Sequence, residues 1–223
     1  MTLAHNPGFS RVGTEPELND VLRTCWHRHP AQQEPDWERL FEGVDEALAS
    51  DAEVKPVLIG PLSFLWSGKA EGQDLDTLDL LERLLPIYGD IFGRLAARGV
   101  EWIQIDEPIL SLDLPQDWKN AFERAYHILQ YSPLKKLVAT CANGFEDNLG
   151  MVALLPVAGL HIERLQAPEQ LARVLDRLPT YKILSLGAFD NCAAWQASAP
   201  TWPQAQARFG DNLWLAASSK AAA

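Results

Sequence analysis

The sequence predicts an α/β fold, a single (β/α) TIM-barrel-like domain of about seven strands, short of the usual complement. Two observations carry this. Short apolar runs alternate with helix-period segments of about three turns, which implies right-handed βαβ crossovers and a parallel sheet. Six or seven such units follow one another in 223 residues, where a complete barrel takes eight over roughly 250. No dinucleotide fingerprint is present to favour a Rossmann sheet instead.

The elements follow in order. "GFSRVG" (8–13) reads as a first strand feeding a helix at 15–27. "DWERLFEGVDEALA" places Trp37, Leu40, Phe41, Val44 and Leu48 on one helical face, with Asp36 as N-cap. "KPVLIGP" (55–61) is a buried strand closed by Gly60-Pro61, and Lys69 beyond it reads as a loop cation. A helix over 75–98 carries Leu78, Leu81, Leu85, Tyr88, Ile91 and Leu95; Pro86 is expected to kink or split it and Gly99 to end it. "VEWIQID" is the next strand, followed by a helix from Pro115 to Gln130 with Trp118, Phe122, Ala125 and Leu129 inward. "KKLVATC" (135–141), "VAGLHIE" (157–163), "KILSLGAF" (182–189) and "NLWLAAS" (212–218) are further strands. Between them lie a short helix around 146–155 and a helix over 168–178 that starts on Pro168. The barrel is drawn over 1–216, with 217–223 as a frayed tail.

Composition excludes several function classes. The net charge of -11 argues against nucleic acid or an anionic membrane as partner. Three widely spaced cysteines with no CxxC fit a reducing cytoplasm better than a disulfide framework. No apolar h-region opens the chain, and no apolar run reaches the roughly 20 residues of a membrane helix.

Chemistry in a barrel gathers at the C-terminal ends of the strands. The polar residues placed there include Ser63, Gln104, Asp106, Glu107, Cys141, His161, Glu163, Cys192 and Ser218. Asp106-Glu107-Pro108 can be read as a catalytic pair in which repulsion raises one pKa. It can equally be a turn in which Asp106 accepts backbone N–H groups and Pro108 ends the strand. Neighbouring strand residues face opposite ways, so the two carboxylates do not readily share a substrate atom. Cys141, His161 and Cys192 are weak candidates as metal ligands: the residue types suit zinc, but no local HxC or CxxC pairing supports them. "GPLSFLWSGKA" lacks phosphate-loop spacing and has Ala70 where a magnesium-binding hydroxyl would stand.

The segments "KPVLIGPLSFLWSGKAEG", "LLPIYGDIFGRLAARGVEWIQIDEPIL" and "LPVAGLHIERL", with "GFSRVG..PEL" before and "DNLWLAASS" after, occur in the order of a known family. Together they resemble the N-terminal domain of cobalamin-independent methionine synthase. The resemblance implies a (β/α)8 barrel. It also implies a place in transfer of a methyl group from polyglutamylated 5-methyltetrahydrofolate to homocysteine, giving methionine. In that family a zinc ion held by a second, C-terminal barrel activates the homocysteine thiol. This chain is expected to carry no cofactor of its own and to lack that barrel.

Two departures bear on function. The family contacts the anionic folate tail through basic residues after its R-[IV]-G element. Pro16, Glu17, Leu18 and Asn19 occupy those positions here, with both cations gone. An internal deletion near 29–35 removes roughly one βα unit relative to the family. Two functions from different classes follow as expectations. One is a methionine-biosynthesis domain, not competent alone, serving as scaffold, partner of a separate catalytic barrel chain, or relic, with folate or homocysteine as possible ligands. The other is an independent small-molecule enzyme of a shortened barrel, using Asp106, Glu107 and a Cys/His metal site.

Overall fold

The computed structural model describes residues 41–49, 54–70, 77–140, 145–162, 168–188 and 202–217. The expected strand at 8–13, the helix at 15–27, the 29–35 junction and all of the expected 217–223 tail but Ala217, which ends the last strand, lie outside them. The described elements run α1 (Glu42–Ala49), β1 (Val57–Ile59), α2 (Pro61–Ala70), α3 (Leu81–Ala97), β2 (Trp102–Asp106), α4 (Gln116–Leu129) and β3 (Lys135–Ala139). They continue with α5 (Leu149–Leu154), β4 (Gly159–Ile162), α6 (Pro168–Arg177), β5 (Ile183–Ala188), α7 (Trp202–Phe209) and β6 (Leu213–Ala217).

The six strands form one all-parallel sheet in sequence order, β1 to β6. The sheet curls. Trp102 of β2 and Trp214 of β6, with three strands between them in the sheet, meet edge to face with ring centroids 4.8 Å apart. A flat sheet would hold them roughly 19 Å apart at normal strand spacing. The fold is therefore TIM-barrel-like, with a lumen on the concave face.

Register assigns every strand residue to one of two faces. Val57, Gln104, Leu137, Gly159 and Ile183 lie along one line of partners, and Asp106, Ala139, His161 and Ser185 along the next. These residues face the lumen, whose apolar floor is Trp102, Leu137 and Trp214. The alternate residues, Leu58, Ile103, Ile105, Val138, Leu160, Ile162, Leu184 and Leu186, face the helices and form the main core. Strands buried on both faces read as near-continuous apolar runs, which is why the sequence shows them so clearly.

Three expectations are corrected. Pro86 does not split its helix: α3 runs unbroken through it, after a 3-10 turn over Thr77–Leu80. Pro86 and Glu82 are exposed, so water can satisfy the Glu82 carbonyl that loses its donor. The segment after Gly60 is not a loop but the helix α2, and Lys69 belongs to it. Pro61 supplies the favoured first position, yet "PLSFLW" has no polar side to give a helical period. α7 was also unexpected; its eight residues present Ala205 and Phe209 to the core and end at Gly210, which has a positive φ of 51°.

Candidate functional site

β2 is buried along its whole length and sends Gln104 and Asp106 into the lumen. Gln104 bridges two charges. Lys55 Nζ donates to its Oε1 at 2.6 Å, and its Nε2 donates to Asp106 Oδ1 at 2.8 Å. The amide thus joins a cation and a carboxylate that sit at different heights in the lumen, and this fixes its orientation. Two strands further round, His161 Nδ1 lies 2.9 Å from Ser185 Oγ. Ala139 stands between Asp106 and His161 in the register. Its small side chain leaves the space between the two polar groups unfilled by β3.

Glu107 points the other way and is fully buried between the sheet and the helices. Its Oε2 accepts the Ser63 N–H at 2.8 Å; its Oε1 accepts the Leu62 N–H at 3.3 Å and the Tyr126 hydroxyl at 3.1 Å. The local sequence explains the arrangement. Pro61 has no N–H, so Leu62 and Ser63 carry the first free donors of α2. Gly60 has no side chain to cap them, and a Cβ there would overlap the Glu107 carboxyl. The cap comes instead from a strand more than forty residues away. The positive end of the helix dipole faces the same carboxylate.

Burial pushes the Glu107 acid up to about 7, against the opposing pull of its hydrogen bonds from Ser63, Leu62 and Tyr126. Burial first, then the Glu107 charge, also raises Tyr88 and Tyr126 well above the ordinary tyrosine range. Tyr88 donates to the Ile59 carbonyl at 2.6 Å, so α3 and α4 both anchor this end of the sheet through tyrosine hydroxyls.

The sequence-predicted residues therefore separate. Asp106 lies in the lumen and Glu107 in the outer layer. Glu107 caps α2 by receiving its backbone N–H groups, and Asp106 accepts the Gln104 amide. The alternation of a strand decides this, because only the outward residue can reach the helix. Ser63 is placed by its backbone as a donor to Glu107, and its Oγ accepts from the Ile109 N–H at 3.4 Å. His161 pairs with Ser185, which the sequence reading had not singled out. A polar residue opposite it in register on the neighbouring strand is the signal that could have found it. Cys141, Glu163, Cys192 and the folate-tail positions Pro16, Glu17, Leu18 and Asn19 lie outside the described residues. Among the described residues no three His, Cys, Asp or Glu side chains converge as a metal would require, so that part of the chain does not fit a zinc centre.

A parallel sheet curled around a lumen, with Gln104, Asp106, His161 and Ser185 on its inner face and Asp106 at the C-terminal end of β2, defines a barrel-type α/β domain. The chain belongs to the cobalamin-independent synthase N-terminal domain family, whose model matches residues 28–207. Among solved structures it is similar to a methyltransferase from Methanosarcina mazei, with a TM-score of 0.59 at 14% identity. That match covers 85% of this chain and 62% of the other, so the chain spans less than two thirds of that protein. A mannanase from Bacillus subtilis (TM-score 0.44, 11% identity, 93% of this chain and 76% of that one) is a more distant likeness. So is a chitinase from Chromobacterium violaceum (TM-score 0.42, 12% identity, 72% and 56%). No helix among the described residues is long and apolar enough to cross a membrane.

Proposed function

We propose that this chain acts in methionine biosynthesis as the N-terminal domain partner of a separate catalytic barrel, in the cytoplasm, and does not itself methylate homocysteine. One observation supports this above the others. Of the two adjacent carboxylates, Glu107 has both oxygens engaged by α2 and Tyr126 and is sealed from solvent. A carboxylate in that position holds a helix; it does not meet a substrate. The match to an N-terminal domain family over 28–207 is the second support. Loss of cations at Pro16 and Asn19 adds that an acidic folate tail is held weakly.

The test is reconstitution. The purified chain, given homocysteine, triglutamyl methyl-tetrahydrofolate and zinc, is expected to form no methionine. Adding a zinc-bearing catalytic barrel as a second polypeptide is expected to start turnover. Methionine from the chain alone would overturn the reading, and so would saturable binding of the triglutamyl folate at micromolar levels.

A second reading rests on the lumen. Asp106, linked through Gln104 to Lys55 at the mouth of a barrel, has the placement of a general acid or base in an independent small-molecule enzyme. Stoichiometric zinc in protein purified without chelator would favour that enzyme.

A further inference from the structure

Glu107 is a buried acid whose hydrogen-bond partners are the first turn of a helix, and that helix borders the mouth. Gly60, which precedes α2, donates its N–H to the Asp106 carbonyl at 2.7 Å, so the start of α2 lies beside the lumen carboxylate. We propose that Glu107 is a pH-sensitive latch, and that its ionisation loosens α2 from the sheet on the β1–β2 side of the mouth.

The geometry gives the latch its two states. With α2 docked, Glu107 is cut off from water and held by the Leu62 and Ser63 N–H groups and the Tyr126 hydroxyl. With the first turn of α2 lifted, those donors leave and water reaches the carboxyl. The titratable groups that face it are few. Tyr88 comes from α3, Tyr126 from α4, and Asp106 precedes it on β2. From the described part of α2 the uncharged Leu62 and Ser63 reach it. Among the described residues no lysine or arginine shifts it, and what offsets the buried negative charge there is its hydrogen bonds and the helix dipole.

The direction follows from linkage. The acid titrates at about 7 when docked and at its ordinary 4.5 when hydrated. The docked form is therefore favoured most below 4.5, and that preference is lost as pH rises to about 7. If lifting α2 restores the ordinary value, the opening constant rises about 40-fold between pH 5 and 7 and then levels off.

Hydrogen exchange of the whole chain, corrected for intrinsic amide rates, reads this directly. Protection of the α2 backbone from Leu62 to Trp66 is expected to fall about 40-fold from pH 5 to 7. Protection in α4 is expected to hold level, and in Glu107→Gln the α2 slope is expected to vanish. An equal fall in α2 and α4, a flat profile in α2, or a slope retained in Glu107→Gln would each overturn the latch. Should Glu107→Gln fail to fold, Tyr126→Phe decides. It removes a donor that favours the ionised form, so the levelling point must move to higher pH; an unmoved point overturns the proposal.

Discussion

Asp106 and Glu107 share a peptide bond, and the strand sends them into two different media. In the lumen, charge is compensated by charge: Lys55 and Asp106 are joined through the Gln104 amide. In the outer layer, charge is compensated by helix ends. Glu107 takes the first N–H groups of α2. At the opposite ends of the strands, Lys136 donates to the Ser132 and Leu134 carbonyls just beyond α4. Lys182 donates to the Ala153 and Leu155 carbonyls at the end of α5. Acid at a helix N-terminus and lysine at helix C-termini is the arrangement the macrodipole favours. The outer layer uses buried ionisable groups to fasten helices to the sheet. The lumen instead bonds its polar side chains to one another.

The largest effect should separate the two carboxylates. Glu107→Ala strands the Leu62 and Ser63 N–H groups and the Tyr126 hydroxyl and leaves a cavity, so we expect a loss of about 4 kcal/mol in urea unfolding. Asp106→Ala gives up the Gln104 bond in the lumen and should cost about 2 kcal/mol. A reversed order would mean that Asp106, not Glu107, holds the fold.

Next in size is Gly60→Ala. The added methyl has no room beside the Glu107 carboxyl, which cannot retreat without giving up α2. Overpacking at so constrained a place should cost about 3 kcal/mol. Gly89, exposed on α3 with nothing within 4 Å of a built Cβ, is the control. Gly89→Ala should be neutral or stabilising by about 1 kcal/mol, because alanine is the better helix former. Equal losses at both positions would remove steric crowding as the reason for a glycine at 60.

Sequence reading reached the strands and α3, α4 and α6 because each has a period that survives without tertiary information. β2 to β5 are largely buried on both faces and so mostly apolar, and α4 repeats Trp118, Phe122, Ala125 and Leu129 inward. α2 escaped it for a physical reason. It buries Leu62 and Leu65 in the main core, while the Trp66 ring meets that of Trp118 of α4 with centroids 4.6 Å apart. Apolar residues therefore lie on more than one side, and the helical period disappears. The site was legible only in part. Placing Asp106 and Glu107 at a strand end required no structure, and neither did their opposite orientation. Deciding which one caps a helix did, since the donors at Leu62 and Ser63 are 45 and 44 residues away. The Lys55–Gln104 bridge and the His161–Ser185 pair were hidden for the same reason: register, not local pattern, brings them together.

The smallest expected effect tests whether the outer layer is a single device at both strand ends. Burial lowers Lys136 and Lys182 to about 8, opposite in sign to its effect on Glu107. An unfolded lysine still holds its proton up to about 10.5, so native stability should rise with pH between 8 and 9.5, by the order of 1 kcal/mol for each lysine. The stability that neutral lysine contributes is lost as pH falls through 8, just as that of neutral Glu107 is lost as pH rises to about 7. The outer layer is thus least favoured between the two values, near pH 7 to 8. Lys182→Met leaves the Ala153 and Leu155 carbonyls without their donor and should cost about 1 kcal/mol at pH 7. More telling is the slope. Urea unfolding from pH 8 to 9.5, below the range where the buried tyrosines titrate, should show a flatter rise in Lys182→Met and the flattest in the double variant with Lys136→Met. If the rise is the same in all three proteins, the lysines are hydrated in solution, and compensation by helix ends holds at the mouth alone.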